Sequence, residues 1–171
     1  MSTEEIRVAM ARAIGYLAEH PDEARYTDSW AMATWEGELR CAVAGPGGER
    51  LAVDMPKGVG GGAAAPSPGW ILRAAAASCD VALIAMRAAQ LGVELSRLEV
   101  TADSESDDRG ILGMDQAVPA GPLSSRTRIT IAAEGVPEET LRDIVRWADE
   151  HAPVGDAIRR AVPRAVEVEI G

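Results

Sequence analysis

From Pro68 to Leu91 the chain is apolar and rich in alanine, with Arg73, Asp80 and Arg87 as its only charges. Read at helical spacing, Leu72, Ala75, Ala76, Cys79, Ala82, Leu83 and Met86 share one face, and the three charges recur every seven residues as a narrow polar stripe. A helix with so little polar surface has to be buried and closely packed, so the rest of the chain must supply what covers it. Pro68 suits the first helical turn, where its missing N–H costs nothing, Ser67 is placed to cap it, and Gly92 is the expected stop. With three charges along its length, the segment reads as too polar to span a bilayer.

The flanking pattern defines what surrounds that helix. Ile6, Met10, Ala13, Ile14 and Leu17 mark an amphipathic helix over residues 3–19, ended by His20-Pro21, whose apolar face predicts docking rather than a free tail. Past Ser29 the periodicity shortens. Met32 to Glu36, Leu39 to Ala44 and Arg50 to Asp54 read as strands, with Pro46-Gly47-Gly48 as a turn and Gly58 to Pro68 as a glycine- and alanine-rich loop. After the long helix, Leu95 to Ser106, Arg126 to Glu134 and Val166 to Ile170 read as strands. Pro137 opens a helix with Leu141, Ile144, Val145 and Ala148 on its apolar face, and a shorter helix follows Pro153. The order β-β-β-α-β-β-α-α-β predicts an α+β domain over residues 29–171, preceded by a helical extension at residues 1–28.

The 171 residues carry a formal net charge of −10 and a single lysine, Lys57, which argues against binding nucleic acid. The acidic start, Met1-Ser-Thr-Glu-Glu, lacks the apolar stretch of an export signal, so a cytoplasmic protein with no membrane partner is expected. In that compartment Cys41 and Cys79 are expected as thiols. The two cysteines, His20 and His151 are too scattered for metal-ligand spacing, and no metal or other cofactor is expected. The acidic run from Asp103 to Asp108 reads as a solvated turn rather than a metal site, because hard-cation ligands need a closed loop geometry that the pattern does not show.

Cys79 is the one plausible chemical centre. As one small residue on an inward face it reads either as core packing or as a protected thiol. It lies some three turns inside the helix, beyond the reach of the helix dipole, so a reactive thiolate there needs a cation from another part of the chain. Asp80 works against it, and is expected to occupy Arg73 and Arg87.

The run Gly60-Gly-Gly-Ala-Ala-Ala-Pro-Ser-Pro-Gly-Trp-Ile-Leu-Arg-Ala-Ala-Ala-Ala-Ser-Cys79 resembles the signature of the OsmC/Ohr family, in which a glycine-rich loop and a Ser-Pro step lead into a helix bearing the peroxidatic cysteine. Trp35-Glu-Gly-Glu-Leu-Arg40 through Val53-Asp-Met-Pro56 resembles the family's first β-meander. Asp108-Arg-Gly-Ile-Leu-Gly113 resembles a recurrent turn, and Val136-Pro-Glu-Glu through Ala152-Pro-Val154 the second helix. The resemblance implies antiparallel sheets around long central helices in an intertwined homodimer. It also implies reduction of organic hydroperoxides by one cysteine, with a second cysteine resolving the sulfenic acid, an arginine stabilising the thiolate, and a glutamate holding that arginine.

Carried onto this sequence, Cys79 stands at the peroxidatic position, eleven residues after Pro68, and Arg40 at the arginine position. Gly69 stands where the glutamate belongs and Ala152 where the resolving cysteine belongs; Trp70 adjoins the first gap and His151 the second. Cys41 is a weak substitute resolver, because alternation along a strand turns it away from whatever Arg40 faces. His151 reads as a base or hydrogen-bond donor, or as a solvated residue at a helix C-terminus.

Two main functions follow, and a weaker third. One is a one-cysteine, thiol-dependent peroxidase acting on a small apolar hydroperoxide, recycled by an external thiol. The other is a non-catalytic relative that binds an apolar small molecule or senses redox state. Cysteine acyl chemistry is a third reading, and it lacks a histidine at a recognisable position.

Overall fold

The computed structural model describes residues 2–171. The long helix, α2, runs Pro68–Gln90. It starts where the Ser67 hydroxyl accepts the Trp70 N–H at 3.3 Å, and it stops at Gly92, whose φ of 68° is readily reached by a residue without a Cβ and whose N–H donates to the Ala89 carbonyl. The other helices are α1 (Thr3–Glu19), the one-turn α3 (Asp108–Ile111), α4 (Glu138–His151) and α5 (Pro153–Arg159).

Among the described residues, five strands form two sheets. β1 (Met32–Gly37), β2 (Arg40–Ala44) and β3 (Arg50–Val53) make an antiparallel meander with β2 central; β4 (Arg97–Glu105) and β5 (Ser124–Ala132) make a two-stranded sheet. The Ser96 N–H donates to Ala132 and the Leu123 N–H to Glu105, so β4 and β5 run antiparallel. Each of these five lies within two residues of the span its alternation predicts. Apart from the one-turn α3 between β4 and β5, which was not expected, the α+β order is as expected up to α5.

The chain divides into two compact units: residues 2–7, 76–102 and 126–171 form one, and residues 8–75 and 103–125 the other. In the first, Ile84 and Ala88 from α2 meet Ile144 and Ala148 from α4, flanked by Leu98 and Val100 of β4 and Ile129 and Ile131 of β5. Ile84 and Ile144 have no exposed surface. Burial of this completeness contributes on the order of 1.5–3 kcal/mol per side chain, and it fixes the part of α2 just beyond Cys79. In the second unit the β1–β3 meander leads through a glycine-rich loop into the start of α2.

Three expectations are corrected. The fully buried face of α2 is formed by Ile84, Ala88 and Ala89, whereas Leu72, Ala82 and Met86 of the expected inward face are exposed and Cys79 is half-buried. Helical periodicity groups residues by direction, and both sides of this helix are apolar, so the grouping did not identify the side that this chain covers.

The strand expected at 166–170 is not formed. Residues 161–171 have no regular structure, and Val166, Val168 and Ile170 are 70, 76 and 95% exposed. Alternation prepares one face of a strand, but a strand forms only with a neighbour to accept its hydrogen bonds, and none of the described strands flanks it.

The acidic run is divided between two elements rather than forming a plain turn: Asp103 to Glu105 end β4, and Asp108 opens α3, capped where the Arg109 N–H donates to the Asp107 carboxylate.

α1 is closed at its start by reciprocal bonds between Ser2 and Glu5. Ile6 and Met10 are half-buried and Val8, Ile14 and Leu17 are exposed. By length and composition alone α2 is apolar enough to cross a membrane. Its charges are nonetheless engaged in polar contacts of a folded domain: Arg73 with Ser104, Asp80 with Thr127, Arg87 with Gln90.

Candidate functional site

Cys79 is a free, half-buried thiol on α2. Asp80, next to it in sequence, faces an open cavity of about 770 Å³ whose lining includes Ile84, Thr127, Ile129, Leu141 and Val145. Burial, and then the charge of Asp149, push the Asp80 carboxyl above its ordinary pKa, while Arg159 and the Thr127 hydroxyl pull the other way. Asp149 is itself held by the Arg159 guanidinium at 2.8 Å. The expected pairing of Asp80 with Arg73 and Arg87 is replaced by these contacts. Arg73 donates to the Ser104 hydroxyl at 3.2 Å, and Arg87 donates to Gln90 and lies over Trp147.

His151 and Ala152 belong to the same unit as Cys79. His151 ends α4, stacked on Trp147 with 4.2 Å between ring centroids, and its Nδ1 bonds the Trp147 carbonyl at 2.7 Å. Ala152, the bend between α4 and α5, has no exposed surface.

Arg40, Gly69 and Trp70 belong to the other unit. Arg40 begins β2, about half exposed, 3.9 Å from the Glu36 carboxylate. Cys41 pairs with Trp35 on one side and Val53 on the other. Continuing the β2–β3 register by one step sets Arg40 across from Asp54, and cross-strand partners in an antiparallel pair project to the same face.

Asp54 is buried with no exposed surface. Its carboxylate accepts the N–H groups of Met55 at 2.7 Å, Gly62 at 3.3 Å and Ala64 at 2.9 Å. The bond from Ala64 is the largest of the effects that hold its pKa below the ordinary carboxylate range. Those from Met55 and Gly62 and the positive charge of Arg40 act in the same direction, against desolvation. The glycine-rich loop therefore closes around a fixed anion. Gly61 approaches so closely that a Cβ there would lie 1.9 Å from the Met55 carbonyl oxygen.

This loop delivers the chain to Pro66 and Ser67, and with Trp70 and Arg73 it lines a cavity of about 340 Å³ that includes Asp54. Trp70 is 52% exposed at its edge. Gly69 is open: a side chain there would first meet the Arg73 guanidinium, at 3.8 Å. Among the described residues no group of histidine, cysteine and carboxylate side chains is arranged to hold a metal.

The glycine-rich loop, the cysteine-bearing helix and the α4–α5 step lie almost entirely within the stretch, residues 60–167, that matches the OsmC-like protein family. The chain belongs to the OsmC-like family. Solved structures share the fold. An organic hydroperoxide resistance protein OsmC from Legionella pneumophila is 21% identical, with a TM-score of 0.58 over 79% of this chain and 91% of its own. An OsmC-like protein from Mycoplasma pneumoniae is 12% identical, with a TM-score of 0.67 over 80% and 91%. The organic hydroperoxide resistance protein OhrB of Bacillus subtilis is 16% identical, with a TM-score of 0.52 over 79% and 93%. No curated protein sequence matches the chain significantly.

Within this OsmC-like chain, sequence reasoning missed Asp54 and the contacts of Asp80 and Arg73. The step Val53-Asp54-Met55-Pro56 held a usable signal, since an acid closing an apolar strand just before a proline turn is placed to collect backbone donors.

Proposed function

We propose that this protein is a one-cysteine, thiol-dependent peroxidase that reduces organic hydroperoxides through Cys79, with Arg40 as the cation that favours the thiolate. The observation that carries the reading is a free, half-buried thiol on α2, at the position to which the resemblance of residues 60–79 to the OsmC/Ohr signature assigns the reactive cysteine. The Cys79 thiolate attacks the terminal peroxide oxygen, the O–O bond breaks, and the alcohol leaves with a proton while the sulfur becomes a sulfenic acid. A small external thiol condenses with the sulfenic acid, releasing water, and a second thiol reduces the mixed disulfide to return Cys79.

External thiols are required because Ala152 supplies no resolving sulfur. The reducing cytoplasm expected for the chain would provide them. A homodimer belongs to the same proposal: α2 leaves Leu72, Ala82 and Met86 exposed on one side, and a second copy of the same apolar face is its natural complement across a two-fold axis.

A second reading has its own support. Gly69 offers no carboxylate, and the Glu36–Arg40 separation of 3.9 Å is too long for a hydrogen bond. A chain so equipped fits a binder of apolar ligands or a redox sensor.

Titration of the protein with cumene hydroperoxide separates the readings, with sulfenic acid at Cys79 followed by mass spectrometry and Cys79→Ser and Arg40→Ala alongside. The peroxidase predicts one equivalent consumed rapidly by the wild type, slower consumption by Arg40→Ala, and no reaction of Cys79→Ser beyond the background rate. If the wild type consumes peroxide no faster than Cys79→Ser, the catalytic reading is wrong and binding or sensing remains.

A further inference from the structure

Arg40 lacks the carboxylate that the family resemblance sets at the position of Gly69, and a loosely held guanidinium stabilises an anion poorly. We propose that Asp54 is the positioning residue that holds Arg40, in place of the missing glutamate. The inference rests on the proposed role of Arg40 beside the Cys79 thiolate, and deepens it.

Four observations converge on Asp54. β3 ends at Val53, which pairs with Cys41, and continuing that register by one step sets Asp54 across from Arg40. Its carboxylate is immobile, clamped by the N–H groups of Met55, Gly62 and Ala64. Two carboxylate oxygens offer about four acceptor positions, so three backbone donors leave one for a guanidinium. The competing acid, Glu36, lies 3.9 Å from Arg40, with both side chains about half exposed, where a surface ion pair is weak and screened. The same three bonds that shape the glycine-rich loop thus give Arg40 a fixed anchor, and tie the arginine to the loop that leads into α2.

The test reads the thiol. The rate of Cys79 alkylation by iodoacetamide against pH, in the Cys41→Ser background, gives the midpoint of thiolate formation. Arg40→Ala should raise it by about one pH unit or more, the scale of losing a nearby opposite charge. Asp54→Asn should raise it equally, the double variant no further, and Glu36→Gln should leave it in place. Adding Gly69→Glu to Asp54→Asn should bring the midpoint back, a rescue that a purely structural role for Asp54 would not give.

If Arg40→Ala moves the midpoint and Asp54→Asn does not, the anchoring role is overturned and the role of Arg40 stands. If neither moves it, both fall. A shift with Glu36→Gln equal to that of Arg40→Ala overturns the inference in favour of Glu36. Should circular dichroism show Asp54→Asn unfolded, Gly69→Glu alone decides. An unchanged midpoint supports an arginine already held by Asp54, and a fall shows that Arg40 had no anchor.

Discussion

Arg87 lies over the indole of Trp147, its guanidinium carbon 4.9 Å from the ring centroid. The Arg87 Nε is buried with no hydrogen-bond partner among the described residues, so the aromatic face is what compensates the desolvated charge on that side, while Nη1 reaches Gln90. This contact joins α2 to α4 at the rim of the Ile84–Ile144 core. Replacing Arg87 with alanine should cost about 1–2 kcal/mol, from the lost cation–π contact and the lost packing of the side-chain stem. Urea unfolding measures it, and Arg87→Lys should recover only part, because an ammonium lacks the planar surface that stacks on a ring. A loss below a few tenths of a kcal/mol would show the stack to be incidental.

Asp80 carries an opposite expectation. Its folded pKa lies above the ordinary carboxyl value of 3.8, chiefly through burial. The folded state therefore binds this proton more tightly than the unfolded chain. The group costs nothing below about pH 3.8, and its penalty grows as pH rises through the folded value. Asp80→Asn keeps an acceptor for Thr127 and removes the charge. It should unfold at a slightly higher temperature than the wild type at pH 7 and at the same temperature near pH 3. An equal midpoint at both pH values would mean the carboxylate is not penalised.

For Asp54 the sign reverses. Its folded pKa is held below 3.8 by the N–H groups of Ala64, Met55 and Gly62 and by Arg40. Its contribution is complete above the unfolded value and is lost as pH falls through the folded one. Thermal unfolding between pH 5 and 2 should therefore show the wild type losing stability faster than Asp54→Asn. Parallel curves would exclude Asp54 as a contributor to acid unfolding.

The glycine-rich loop offers a paired test. Gly61→Ala would set a methyl 1.9 Å from the Met55 carbonyl oxygen, so backbone has to move; a loss of roughly 1–3 kcal/mol is expected, the usual range for overpacking. Gly58 has nothing within 4 Å of an added Cβ, and Gly58→Ala should be neutral, or stabilising by up to about 1 kcal/mol through the unfolded chain. Chemical denaturation of the two variants side by side checks the contrast. Equal effects would contradict the close approach at Gly61.

Much of this was legible before the structure, because local chemistry decided it. Ser67, Pro68 and Gly92 bound α2 wherever it packs, and the short alternating runs of β1 to β5 needed only neighbours that follow them in sequence. What escaped depended on information that lies outside a segment. The covered side of α2 is chosen by α4 and the β4–β5 sheet, which select Ile84 and Ala88 over the equally apolar Leu72 and Met86. Val166 to Ile170 alternates as a strand does, yet no strand forms there, because none of the described strands flanks it. For Asp54 the step into Pro56 marked an acid placed to collect backbone donors, but which N–H groups reach it, those at positions 55, 62 and 64, depends on the path of the glycine-rich loop, which the sequence does not fix. Of the candidate site, the position of Cys79 in its helix was readable from both pattern and resemblance, while the anchoring of Arg40 was not.

Residues 161–171 have a consequence for how long the molecule lasts. Proteases cut most readily where a segment is free of helix and sheet, and residues 161–171 have no regular structure and expose Val166, Val168 and Ile170. A nick after α5 would remove Val166, Val168 and Ile170 and leave the thiol helix and its core intact. Trimming of this tail during purification would shorten the chain without announcing itself as a loss of fold.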